Sequence, residues 1–321
     1  MQKIKEPILM TGAGGFVGAN LLKRLIKKKL RVNILINKKT NLWRIQDDLN
    51  KVNSHFVDIT NKNQLLTLVK KIRPKTIFHL AAYGAYPFQN LTAKIQKVNL
   101  NTTINLLHAC EKYGFDKFIN TGSSSEYGFK EKKMSESDML KPNSHYAVFK
   151  AAASLYCQYE SISKNMPITT LRLFHVYGPF EEPSRLIPTL IKQLSNNIPP
   201  KLVSPYISRD LIYIDDVVDY FLLCCKTDKV DGEIINIGSG QNTNIKKIYS
   251  VVNYYLKCNK KPQWNSMQSR KWDQNVWVSN NSKANNIFNK RKNIKLEEGI
   301  FKFIKWYNKN KNIYDKIKKR K

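Results

Sequence analysis

The sequence predicts an α/β fold: a doubly wound parallel sheet with a smaller C-terminal lobe. Three observations predict it. Short β-branched runs alternate with amphipathic helical stretches through the first half of the chain. A glycine-rich turn, Thr11-Gly12-Ala13-Gly14-Gly15-Phe16-Val17-Gly18, joins the first strand to the first helix. After Gly178-Pro179 the rhythm changes, with Pro183, Pro188, Pro199, Pro200 and Pro205 breaking up the chain.

The elements follow in order. Ile8-Leu9-Met10 is a short strand. Residues 18–28 are helical, because Val17, Leu21, Leu22, Leu25 and Ile26 share one face. Strands are predicted at 32–36 and 54–57, then a helix at 63–72 that Pro74 closes. Residues 76–81 form the fourth strand, and 91–113 one long helix stopped at Gly114. A strand at 118–121, a helix at 146–163 and a strand at 168–173 complete the alternation. Further on, 212–214 and 234–237 read as strands around a helix at 216–225; the tail from Asn244 reads as helical and basic. Residues 1–178, with 213–240 returning to them, are predicted to form the main domain, and 179–212 with 241–321 the lobe.

Composition narrows the function. The 321 residues are 42% hydrophobic, enough for about two domains at roughly 150 residues each. That excludes a disordered chain and a disulfide-stapled miniprotein. Five cysteines without a C-x-x-C pair fit a reducing, cytoplasmic setting, and no metal site is expected. Lys plus Arg number 55 against 24 Asp plus Glu, a net charge of +31. The lysines are dispersed and interleave with aromatics on no nucleic-acid module, so no nucleic acid is expected as partner. Such a field speeds capture of a small phosphorylated substrate. The longest apolar stretch, 211–225, is broken by Asp215, Asp216 and Asp219, so no membrane span is expected.

Gly12, Gly15 and Gly18 sit where a strand gives way to a helix. Glycine suits a sharp turn, a close approach to a pyrophosphate and tight helix–sheet packing. The helix start, Phe16 and Val17, then offers free N–H groups to the negative charge. This predicts a Rossmann domain that binds NADP or NAD. The second strand ends on Asn37, Lys38 and Lys39 instead of an acid, which favours NADP. Asp58, after the third strand, is placed to accept from an adenine amino group or to cap its own turn beside Thr60.

Tyr146 and Lys150 are spaced i, i+4 on one helix face. An adjacent ammonium and the positive nicotinamide ring are expected to lower the tyrosine pKa from its usual value near 10. Thr121-Gly122-Ser123-Ser124-Ser125-Glu126-Tyr127-Gly128 ends the fifth strand and supplies hydroxyls that can bridge a substrate oxygen to that tyrosine.

With these motifs in hand, the chain resembles the extended short-chain dehydrogenase/reductases of the NAD-dependent epimerase/dehydratase type, which act on nucleotide sugars. The carrying motifs are TGAGGFVG, VDIT at 57–60, HLAA at 79–82, VNLNTT at 98–103, TGSSSEYG, YAVFK at 146–150, LRLFHVYGP at 171–179, RDLIYIDDVV at 209–218 and INIGSG at 235–240. The resemblance implies Ser123, Tyr146 and Lys150 as the catalytic set; counted back from Glu126, the hydroxyl is Ser124 instead. It also implies a cofactor lined by Ile59, Leu80, Ala81 and Ala82 and supported by Asn99. Ser124, Ser125, His175, Arg209 and Arg270 are implied on the substrate side, the arginines as clamps on a diphosphate. For Arg209 a salt bridge to Asp210 or Asp215 is the alternative. A homodimer through helices like 91–113 and 145–163 is implied as well.

Ser124 and Ser125 stand where dehydratases of the family carry two acids, which argues against 4,6-dehydration. His175 stands where epimerases usually carry Asn. The favoured expectation is a 4-keto-6-deoxy nucleotide-sugar reductase, and the alternative a nucleotide-sugar 4-epimerase. A non-catalytic cofactor sensor is disfavoured by the complete Ser–Tyr–Lys set.

Overall fold

The computed structural model of the chain describes residues 4–38, 40–86, 88–268, 275–289 and 293–317, with side chains as far as residue 314. Strand β1 (Ile8–Thr11) lies between β2 (Val32–Ile36) and β4 (Thr76–His79), parallel to both. Outside β2 lies β3 (Asn53–Phe56). Beyond β4 come β5 (Lys117–Ser123), β6 (Ile168–Leu173) and β10 (Ile234–Ile237), giving one seven-stranded parallel sheet. Strands β1, β2, β4, β6 and β10 are buried along their whole length, as a sheet covered on both faces requires.

Alternate side chains serve opposite layers. Ile8 and Met10 face α1 (Phe16–Lys27) and α7 (Ile214–Cys224). Leu9 faces α2 (Lys62–Ile72), α4 (Thr102–Glu111) and α5 (His145–Lys164). After β3 the chain crosses to the other side of β1, so the topological switch opens between β1 and β4. Ligands of such sheets bind there, at the carboxyl ends of the strands.

The expected helix at 91–113 is corrected. It runs as α3 (Thr92–Gln96), a π-helical segment at Lys97–Asn101, and α4. The Thr102 hydroxyl donates to the Lys97 carbonyl at 3.0 Å and that of Thr103 to the Asn99 carbonyl at 2.8 Å, inside the widened turn. Such π segments concentrate at functional sites.

The basic tail is helical only in pieces: α8 (Ile245–Leu256), α9 (Ser282–Ile287) and α10 (Leu296–Ile317). Helix α8 packs between α6 (Leu186–Ser195) and α10. Two short ladders join these parts. β7 (His175–Tyr177) pairs with β9 (Leu211–Tyr213), and β8 (Ser208–Arg209) with β11 (Thr243–Asn244). The apolar core under α1 runs without a break to Leu190, Ile248 and Phe303. Among the described residues no helix is long and apolar enough to cross a membrane.

Candidate active site

The glycine turn leaves no room for side chains. Gly12 has φ +72°, and a Cβ there would lie 2.5 Å from the Leu80 carbonyl carbon and 2.6 Å from Ala81 N. A Cβ on Gly18 would lie 2.1 Å from the Gly12 oxygen. Gly15 caps α1 without a side-chain hydrogen bond, so the first-turn N–H groups stay available to a ligand. A tight turn and an uncapped helix start at the switch point fit a dinucleotide pyrophosphate.

A buried chain of hydrogen bonds ties this turn to the π segment. The Ala81 N–H donates to Thr11 Oγ1 at 3.2 Å, and Thr11 Oγ1 bonds His79 Nδ1 at 2.7 Å. His79 Nε2 bonds Thr103 Oγ1 at 2.9 Å. Because the Thr103 hydroxyl already donates to Asn99, the His79 proton sits on Nε2 and Thr11 donates to Nδ1. Burial, with the Lys150 charge nearby, holds His79 down at about 3. Asn99 pins the next segment: its Oδ1 accepts the Tyr83 N–H at 3.1 Å and its Nδ2 donates to the Tyr83 carbonyl at 2.6 Å.

Ile59 and Leu80 are half-buried, Ala81 is buried and Ala82 exposed. Asp58 caps its own turn. Its Oδ1 accepts from the Thr60 N–H at 2.9 Å and hydroxyl at 2.7 Å, which hold the carboxyl below its usual range. Asn37 and Lys38 are exposed, and the Asn37 N–H donates to Thr40 Oγ1 at 3.0 Å. Lys39 and Arg270 lie outside the described residues.

Strand β5 ends at Ser123, which caps the single turn Ser124–Tyr127. The Ser123 side chain hydrogen-bonds Tyr146 and lies 2.7 Å from Ser125 Oγ. Ser124 is buried and instead accepts Trp277 Nε1–H at 3.1 Å. So of the two candidates Ser123 faces the tyrosine. Lys150 is buried and donates to the Thr121 carbonyl at 2.6 Å. Desolvation brings it down to about 8, while the Glu126 charge pulls it up.

The expected lowering needs the nicotinamide ring as well as Lys150, and the chain by itself does not produce it. Desolvation pushes the phenol up to about 12, opposed by the Ser123 hydrogen bond, and the phenol is protonated at neutral pH.

On the substrate side, His175 Nδ1 is enclosed and has no hydrogen-bond partner among the described residues. Burial, with Arg209 and Arg185 nearby, holds the ring well below its usual pKa. Trp277 meets it edge-on at 6.0 Å. Arg209 Nη1 donates to the Ser208 carbonyl at 2.7 Å. The carboxylates named as its alternative partners bond elsewhere. Asp210 accepts the N–H groups of Ser239 at 2.6 Å, Gly240 at 3.1 Å and Ser279 at 2.8 Å, and Asp215 faces Arg24.

Two residues were missed from the sequence. Buried Arg44 donates to the carbonyls of Gly14 at 3.3 Å and Phe180 at 2.8 Å and to Glu182 at 3.0 Å, joining the glycine turn to the chain beyond β7. Arg185 donates to the Ala85 carbonyl at 3.1 Å and stacks over Tyr86, and its charge reaches Tyr146 and His175. No local signal marks either one, since their partners are brought near only by the fold.

Comparison with known proteins gives a consistent picture. The model of the NAD dependent epimerase/dehydratase family matches residues 8–238. The chain is 28% identical to a UDP-glucuronate 4-epimerase of Thermodesulfobacterium geofontis, over 97% of this chain and 98% of that protein. It is 25% identical to the dTDP-4-dehydro-6-deoxyglucose reductase of Escherichia coli, over 95% and 98%. Among solved structures, the UDP-glucuronic acid 4-epimerase of Bacillus cereus, in complex with UDP-glucuronic acid and NAD, aligns with a TM-score of 0.81. It is 28% identical, covering 94% of this chain and 99% of that one.

Proposed function

The chain belongs to the NAD dependent epimerase/dehydratase family, and on that premise we propose that it reduces the 4-keto group of a nucleoside-diphosphate 4-keto-6-deoxy sugar. The Ser123-bound Tyr146 supplies the proton donor that ketone reduction needs, and His175, standing where epimerases of the family usually carry Asn, tips the reading toward the reductase. NADPH, bound at the glycine turn, would supply the hydride. Ser123 holds the C4 oxygen beside Tyr146, and the Tyr146 phenol gives that oxygen its proton as the alcohol forms. Lys150 holds the nicotinamide ribose, and Arg209 the substrate diphosphate. Asn37 and Lys38 support NADP over NAD, since no carboxylate there repels a 2′-phosphate. Dehydration gains no support: Glu126, the acid in the serine turn, is fully buried and paired with Arg172.

The second reading is a nucleotide-sugar 4-epimerase, favoured by the similarity to a UDP-glucuronate 4-epimerase along nearly the whole chain. There Tyr146 first takes the O4 proton and later returns it. One experiment separates the two. Purified protein is given NADPH and a dTDP-4-keto-6-deoxyhexose, and separately UDP-glucose or UDP-glucuronate without added cofactor. Consumption of NADPH supports the reductase; conversion of a UDP-sugar to its C4 epimer refutes it in favour of the second reading.

The proposal includes a main domain of 1–178 with 213–240, a substrate lobe of 179–212 with 241–321, a cytoplasmic location and a homodimer. Exposed Val148, Leu155, Tyr159 and Ile162 form an apolar stripe on one face of α5, suited to pairing with a second copy.

A further inference from the structure

Residues 179–182 lie just past β7, on the way to the substrate side, yet the groups that hold them come from the cofactor side. Asn20 of α1 donates from Nδ2 to the Phe16 carbonyl at 3.0 Å and to the Pro179 carbonyl at 3.0 Å. Buried Arg44 donates from Nε to the Phe180 carbonyl at 2.8 Å and from Nη2 to Glu182 Oε2 at 3.0 Å. Its Nη1 donates to the Gly14 carbonyl at 3.3 Å. Phe180 holds φ +69°, a region that bulky residues rarely enter and keep only where their surroundings impose it. Its ring lies 4.7 Å from Trp306 and 6.1 Å from Trp43.

Burying a guanidinium is costly unless its donors are used, and here the flat fork reaches two segments at once. On the cofactor side its contact falls at a sensitive place. The Gly14–Gly15 peptide is gripped at both ends: Arg44 takes its carbonyl, and its N–H donates to the Gly12 carbonyl at 3.0 Å. The N–H groups that follow open α1, whose start has no side-chain cap, and they meet the negative charge of a ligand. A tilt of that peptide plane turns them away.

The structure assigns Arg44 as a positioning residue for the cofactor: it carries the placement of residues 180–182 to the peptide plane ahead of the pyrophosphate donors. Cofactor affinity then depends on Glu182, which grips the far side of the guanidinium. The inference rests on the reading that the glycine turn holds a dinucleotide, and it requires no particular sugar.

Glu182→Ala tests this by the sign of its effect. Glu182 is half-buried, so its truncation opens no core cavity. Removing a carboxylate makes the cleft more positive, which by charge alone tightens an anionic cofactor. The inference expects the reverse. Titrations followed by protein fluorescence should show Kd rising about threefold or more, the worth of one braced hydrogen bond. NADPH and NADH should weaken by the same factor, because both carry the pyrophosphate. Arg44→Met should raise both Kd values about tenfold, and Glu182→Ala should add nothing in that background. Thermal unfolding is followed alongside, since a role in stability alone lowers Tm and leaves the Kd of the folded protein where it was. An unchanged or lower Kd in Glu182→Ala overturns the inference, and so does an equal loss with and without Arg44. If Arg44→Met does not fold, Arg44→Lys replaces it. A single ammonium cannot hold both segments, so Glu182→Ala should again cost less than in the parent. If neither folds, Glu182→Ala in the parent decides by its sign. A parent that binds neither cofactor overturns the inference together with the cofactor reading. One that binds cofactor but turns over no nucleotide sugar loses the functional reading alone.

Discussion

Acid should loosen this fold through His79. The ring is 2% exposed and wedged between Thr11 and Thr103, with its pKa held at about 3. An unfolded histidine titrates near 6.5. The folded pKa is the lower one, so protons favour the unfolded chain. The stability His79 contributes is complete above about pH 6.5 and is lost as pH falls toward 3. At pH 5 the loss is RT ln(1 + 10^1.5), about 2 kcal/mol, and at pH 4 about 3 kcal/mol. Urea midpoints measured from pH 7.5 to 4 give the parent's curve. His79→Gln removes the titration, so its stability should fall less by about 2 kcal/mol between pH 7.5 and 5. Parallel curves for parent and variant would refute the claim that a neutral His79 anchors the turn. The cofactor side should loosen with it, because Thr11 also accepts the Ala81 N–H.

Four further outcomes are expected. Tyr146→Phe keeps the ring, loses the proton donor and should cut turnover by about 10²–10⁴-fold; turnover within about threefold of the parent sinks the assignment. Asn37→Asp should weaken NADPH binding relative to NADH by placing a carboxylate near the 2′-phosphate; a parent that already prefers NADH in a fluorescence titration contradicts the reading. Arg209→Ala should raise KM for the nucleotide sugar and leave cofactor affinity nearly unchanged, and unaltered steady-state kinetics would remove the clamp from the mechanism. Gly18→Ala drives a methyl into the Gly12 carbonyl, 2.1 Å away, and should destabilise the fold by about 1–3 kcal/mol while weakening both cofactors; parent-like thermal stability and binding would show that the turn yields.

Local signals were legible and remote ones were not. Strands β2, β6 and β10 lie where their apolar runs put them, because buried parallel strands need little beyond such runs. The glycine turn and the Tyr146–Lys150 pair are equally local. The helix at 91–113 reads as continuous because its periodicity cannot register the hydrogen bonds from Asn99 to Tyr83, sixteen residues back. The choice between Ser123 and Ser124 stayed open for the same reason. It turns on where β5 stops and on Trp277, which lies 153 residues further along the chain. Arg44, Asp210 and Arg172 find their partners only after folding, because those partners lie far away in the sequence.

Those three residues share a design that bears on how the cleft keeps its shape. Each is buried, and each joins segments that sequence separation holds apart. Arg44 fastens the glycine turn to residues 180 and 182; Asp210 gathers 239, 240 and 279; Arg172 and Glu126 hold the serine turn against β6. Apolar packing tolerates small slides, since dispersion has little directionality. A buried charge surrounded by aimed donors does not, because a lost partner leaves it unsatisfied. Hydride transfer and proton donation demand placement within about half an ångström. The sheet therefore supplies the scaffold, and the buried polar hubs set the register between the cofactor turn, the serine turn and the substrate side.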